Sequence, residues 1–170
     1  MKKNFIFLSL IAVLAISCMQ ENNFPETPAI KFNQIINKTD SIELWIDFTD
    51  GDGDFGLEQG DTTGSFDDCL RQYNLYLIYQ EKQNGVWVDN GVAEPGILDP
   101  CVNEDAVPFY YRVPWARPTG QDQTQEGTIK LQMQTYYLPS EFDTCRFRIQ
   151  IVDRSLKESN IVFSSEFLKP

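Results

Sequence analysis

The stretch Ser41-Ile42-Glu43-Leu44-Trp45-Ile46-Asp47-Phe48 alternates: Ile42, Leu44, Ile46 and Phe48 fall on one side of an extended chain, Ser41, Glu43, Trp45 and Asp47 on the other. Successive side chains of a strand point to opposite faces, so this period of two describes a half-buried β-strand. The pattern recurs in both directions. Upstream, Ile30–Asn37 forms a first candidate strand. Downstream, Gln72–Gln80 is apolar on both faces, as a central strand would be. Asn84-Gly85 then turns the chain into Val86-Trp87-Val88, a strong hairpin signal. Val107–Val113, Thr128–Tyr137 and Cys145–Val152 continue the series, and Asn160–Phe167 follows the turn Asp153–Glu158. Seven or eight short strands predict an all-β fold: one antiparallel β-sandwich, immunoglobulin- or fibronectin-like, spanning residues 29–170.

The N-terminus reads differently. Lys2 and Lys3 precede an apolar run, Phe5–Ile16, that is shorter than the roughly 20 residues a membrane span takes. Ser17 and Cys18 follow, then polar residues. A basic start, an apolar centre and a small-residue cut site describe a secretory signal over residues 1–17. The cysteine at the first mature position resembles the bacterial lipoprotein signal, in which that thiol is diacylated. Ala15 stands where the family box prefers Leu, while Ile16 and Ser17 fit. The resemblance implies lipidation at Cys18 and a membrane anchor, with residues 18–28 as a polar tether containing Pro25 and Pro28.

Composition narrows the function. The formal charge is −11, and it becomes two units more negative once Lys2 and Lys3 are removed. Such a chain is repelled by phosphate backbones and anionic headgroups, so nucleic acid is not expected as a partner. The sequence contains no histidine. Ser-His-Asp and Cys-His nucleophile systems and His-based zinc sites are thereby excluded, and an enzyme is not expected. Beside Cys18 stand Cys69, Cys101 and Cys145. An odd count in an oxidising compartment suggests one disulfide and one free thiol. Cys145 opens an alternating run and is expected to face the core. Cys69–Cys101 is the favoured pair, with no disulfide or a Cys145 pairing as the alternatives.

One constellation carries chemistry. Asp50-Gly51-Asp52-Gly53-Asp54-Phe55-Gly56 places carboxylates at alternate positions between glycines. Hard oxygens on a tight loop suit Ca²⁺, and Asp50, Asp52 and Asp54 are the expected ligands, with Asp61 or Glu58 as a fourth. Phe55 at the sixth place and strand-like flanks exclude an EF-hand; the loop is similar to the DxDxDG-type calcium loops found elsewhere. Asp and Gly are also the ordinary residues of turns, so a plain acidic turn, or another cation, stays open. Against a plain turn, Asp47–Asp68 holds eight acidic side chains and no Lys or Arg. Trp45, Trp87 and Trp115 are read either as packing residues or, for Trp87 and Trp115, as a binding surface for a partner or a sugar ring.

Three pieces together resemble uncharacterised lipoproteins of Bacteroidota with an immunoglobulin-like β-sandwich: Phe48–Leu57; Tyr111–Pro114 with Pro118–Gly120 and Glu126–Ile129; and Phe147–Asn160. The resemblance implies an outer-membrane or cell-surface lipoprotein without assigned catalytic residues. The leading expectation is a lipid-anchored binding or assembly module docking to an outer-membrane or surface protein. The alternatives are a carbohydrate-binding accessory lipoprotein of a glycan-uptake system and, last, a hydrolase using carboxylates.

Overall fold

The computed structural model describes residues 24–89, 109–119, 123–134 and 142–169. Among them are nine strands: β1 (Ala29–Asn37), β2 (Ser41–Asp50), β3 (Leu75–Gln83), β4 (Val86–Asp89), β5 (Phe109–Tyr111), β6 (Gln125–Gln134), β7 (Thr144–Ile151), β8 (Val162–Phe163) and β9 (Phe167–Leu168). Two short 3₁₀ turns lie at Gly64–Phe66 and Leu70–Gln72. One sheet has the order β1-β2-β6; the other has β4-β3-β7-β8, with β5 also on β3 and β9 on β7. All named strand pairs are antiparallel. The chain changes sheet after β2 and on either side of β6, the crossing pattern of an immunoglobulin/fibronectin-like sandwich. Among the described residues no helix is long and apolar enough to cross a membrane.

Alternation builds the core. In the first sheet, Ile42, Leu44 and Ile46 stand opposite Met133, Leu131 and Ile129. In the second, Leu75, Leu77 and Tyr79 stand opposite Ile151, Ile149 and Phe147. These inner faces join in one cluster in which Ile42, Leu44, Ile46, Leu75, Phe147, Ile149 and Ile151 are fully buried. Each such side chain contributes about 1.5–3 kcal/mol. Asn84 and Gly85 both take positive φ (52° and 84°), which the tight hairpin between β3 and β4 requires.

Several boundaries differ from the sequence pattern: β6 begins at Gln125 and not at Thr128, and β5 ends at Tyr111 and not at Val113. The strand expected over Gln72–Gln80 runs from Leu75 to Gln83. Its first residues are held in a turn, with Gln72 N–H donating to Cys69 O and Tyr73 N–H to Leu70 O. The last strand is broken in two, because the Ser164 hydroxyl accepts the Phe147 N–H and takes the place of a backbone partner.

Cys145 is a buried free thiol whose Sγ lies 2.6 Å from the Tyr79 hydroxyl. Burial raises its pKa. Cys69 is disulfide-bonded. Its expected partner Cys101 lies outside the described residues, as do Cys18 and the signal segment 1–17.

Candidate metal centre

Asp50 is the last residue of β2, and the chain then turns tightly through residues 51–56. Gly53 has φ +69°, and a Cβ there would collide with the Gln123 carbonyl. Only glycine fits this position. The loop is fastened from outside: Trp115 Nε1 donates to Gly53 O (2.9 Å), and Arg154 N–H donates to Asp54 O (3.3 Å). Phe55 points inward, 2% exposed, with its ring 4.8 Å from that of Phe48.

This arrangement brings Asp50, Asp52 and Asp54 together with Asp153, which follows β7. One carboxylate oxygen from each of the four lies within 4.8 Å of the others. The pattern of satisfaction is the same in all four residues. Asp50 Oδ2 accepts the Phe55 N–H (2.9 Å), and Asp52 Oδ2 accepts from Lys157 Nζ (2.5 Å). Asp54 Oδ2 accepts from Ser155 Oγ (2.6 Å), and Asp153 Oδ1 accepts the Lys157 N–H (2.8 Å). The other oxygen of each (Oδ1 of Asp50, Asp52 and Asp54, Oδ2 of Asp153) is buried and has no hydrogen-bond partner. Each carboxylate is thus oriented by the protein on one side and left bare on the other.

Electrostatics follow from the crowding. Burial raises Asp50 from its ordinary value to about 6; the Phe55 N–H opposes this, and the charges of Asp52 and Asp54 add to it. Asp153 is likewise raised to about 6 by burial, with Asp54 and Asp52 adding to the effect. Lys157 is raised, chiefly by its hydrogen bond to Asp52. Four carboxylates against one ammonium leave a surplus of negative charge around bare oxygens. Buried polar groups without partners are rare and costly, and a cation meets all four at once. The cluster could hold a metal ion.

Asp61, expected as the fourth ligand, is not in the cluster. Its Oδ1 pairs with Arg154 (3.0 Å) and its Oδ2 accepts the Glu58 N–H (2.8 Å), so both oxygens are spent on the loop's own structure. Glu58 is exposed and pairs with Arg117. Asp153, which replaces Asp61, carries no local signal: it read as a turn residue in Asp153–Glu158. Ser155 and Lys157, which orient the carboxylates, lie in the same turn.

The tryptophans separate. Trp115 is half-buried, holds the acidic loop through Nε1, and has the guanidinium groups of Arg154 (4.4 Å) and Arg117 (4.7 Å) against its ring. Trp87 lies on the solvent face of the larger sheet with Arg146 at 4.3 Å and Lys82 at 5.3 Å. Trp45 carries Lys130 Nζ 3.8 Å from its ring centre. Beside Trp87, the same face presents Phe163 (44% exposed) and Ile161 (46% exposed). A groove of about 220 Å³ runs here between Tyr76, Tyr110, Arg148, Gln150 and Ile161.

No protein-family model, curated protein or solved structure matches the chain. Fold and site define the class: an all-β sandwich with a buried four-aspartate cluster at one end, able to hold a metal ion.

Proposed function

We propose that the chain is a lipid-anchored, non-catalytic binding or assembly module of the outer membrane or cell surface, with a β-sandwich braced by Ca²⁺. The observation that carries the calcium reading is the gathering of four aspartates, one carboxylate oxygen of each within 4.8 Å of the others, in residues that each also keep one buried oxygen without a hydrogen-bond partner. Ca²⁺ takes 6–8 oxygens at about 2.3–2.6 Å, whereas Mg²⁺ keeps most of its waters and uses one or two carboxylates. Zinc prefers Cys and His, and the cluster offers neither. Asp50, Asp52, Asp54 and Asp153 are the ligands.

The binding role is supported by the solvent face of the larger sheet. Trp87, Tyr76, Tyr110 and Phe163 are interleaved there with Arg146 and Arg148, and aromatic residues and Arg are the types enriched at protein interfaces. The lipid anchor at Cys18 and the surface location rest on the signal sequence. Cations lie against the rings of both Trp87 and Trp115, which favours a protein partner over a stacked sugar.

A crosslinked pull-down from native membranes tests this reading. One stoichiometric outer-membrane partner, lost in the double variant Arg148→Glu/Phe163→Ala, is the expected result. Recovery of no partner, with glycan binding in its place, would overturn it.

A further inference from the structure

Residues 24–26, just ahead of the sandwich, pack against the acidic loop. Gly51, between the ligands Asp50 and Asp52, donates its N–H to Pro25 O at 2.9 Å. A Cβ on Gly51 would strike the carbonyls of Phe24 and Pro25, so the two stretches of backbone are in close apposition. Lys157 makes the second link. Its Nζ lies 2.5 Å from Asp52 Oδ2 and 3.4 Å from both the carbonyl and Oε2 of Glu26. Its backbone N–H holds Asp153 Oδ1. One residue therefore touches two of the four aspartates and the tether together. Phe24 is half-buried, and Pro28 is buried just ahead of β1.

We infer that cation binding at the four-aspartate cluster clamps the Phe24–Thr27 segment onto the sandwich and so sets how rigidly the domain stands on its anchor. The inference rests on the calcium reading above. Without a cation, four carboxylates around buried oxygens repel, and the loop bearing Gly51 is free to open. Opening removes the donor that holds Pro25 and displaces Asp52 from Lys157. With the cation bound, Asp52 bridges the ion and the Lys157 ammonium, and both contacts to the tether are held in place. Pro25 and Pro28 fix φ on either side of Glu26, so a clamp at this point orients the chain that leads back towards Cys18. The metal then works as a lock on the pivot between lipid and domain.

The test uses the full chain, expressed with its own leader and purified in detergent, in millimolar CaCl₂ and in EGTA. Two readouts report the clamp: cleavage by glutamyl endopeptidase after Glu26, and hydrogen exchange at the Gly51 amide. Calcium is expected to slow both about tenfold or more. Lys157→Met also loses the hydrogen bond that orients Asp52, so it is compared at calcium saturating for that variant; there calcium still raises the melting midpoint but protects the Glu26–Thr27 bond several-fold less than in the parent chain. If calcium raises the midpoint while cleavage and exchange stay unchanged, the clamp is refuted and the metal site stands. If calcium leaves the midpoint unchanged as well, the metal reading and the clamp fall together. Full calcium protection in Lys157→Met would overturn the role given to Lys157.

Discussion

Both ends of this sandwich bury carboxylates, and they do so in opposite ways. Along the pairing of β3 with β7, Leu75 opposite Ile151 marks one end and Glu81 opposite Cys145 marks the other. At the first end, four aspartates come together with one carboxylate oxygen of each within 4.8 Å of the others, and each residue has one oxygen bonded to the protein and one without a partner. At the second, a single acid, Glu81, is fully buried beside the Tyr79 hydroxyl and the Cys145 thiol, and neither of its oxygens has a partner at hydrogen-bond geometry. A buried acid is therefore not in itself a site. Gathering of several carboxylates, together with half-satisfaction of every member, separates a cluster that could hold a cation from a single buried acid.

The largest expected effect breaks the first end. At calcium 100-fold above its dissociation constant, binding stabilises the fold by about 2.7 kcal/mol, or roughly 5–10 °C in melting midpoint for a domain of this size. Asp50→Asn and Asp153→Asn should abolish that increment in thermal scans, and Asp61→Asn should retain it. Next comes the other end. Glu81→Met removes an uncompensated buried acid and is expected to raise stability by about 2 kcal/mol in urea titrations, equally with calcium and with EGTA. An effect of calcium on that gain would mean the two ends are coupled. A smaller loss is expected in Trp115→Phe, which deletes the hydrogen bond to Gly53 O; calcium should bind about five-fold more weakly, equivalent to about 1 kcal/mol.

The pH response is subtler still. Asp50 and Asp153 titrate near 6 in the fold, against an ordinary value of 3.8. Between those values the calcium-free fold holds protons that the unfolded chain has released. These two residues therefore stabilise the apo fold fully below about pH 4, and the contribution is lost as pH rises through 6. Calcium needs the ionised carboxylates, so its stabilisation grows over the same window. Melting curves in EGTA and in calcium from pH 4 to 7 should diverge; parallel curves would remove Asp50 and Asp153 from the site.

Much of this was legible in the sequence, and the exceptions have physical causes. The period of two in Ile42–Phe48 and Cys145–Ile151 gave the strands and their buried faces, and Asn84-Gly85 gave its hairpin. Strand ends were not legible where side chains replaced backbone partners, as Ser164 does for Phe147. Asp50, Asp52 and Asp54 could be read because local spacing alone brings them together. Asp153 could not, because only the docking of the two sheets carries the turn after β7 onto the loop after β2. Asp61 was close in sequence but claimed by Arg154, a contact equally invisible in one dimension. The tether reading of residues 18–28 likewise held no hint that Pro25 would meet Gly51.

Whether the four aspartates hold one calcium ion is open to direct measurement. Isothermal calorimetry near pH 7.5, carried to about 10 mM calcium because protein calcium sites can be as weak as about 10⁻³ M, measures it directly. One ion per chain, lost in Asp153→Asn and kept in Asp61→Asn, is the predicted result. No binding heat across that range, with the melting midpoint unmoved, would contradict it.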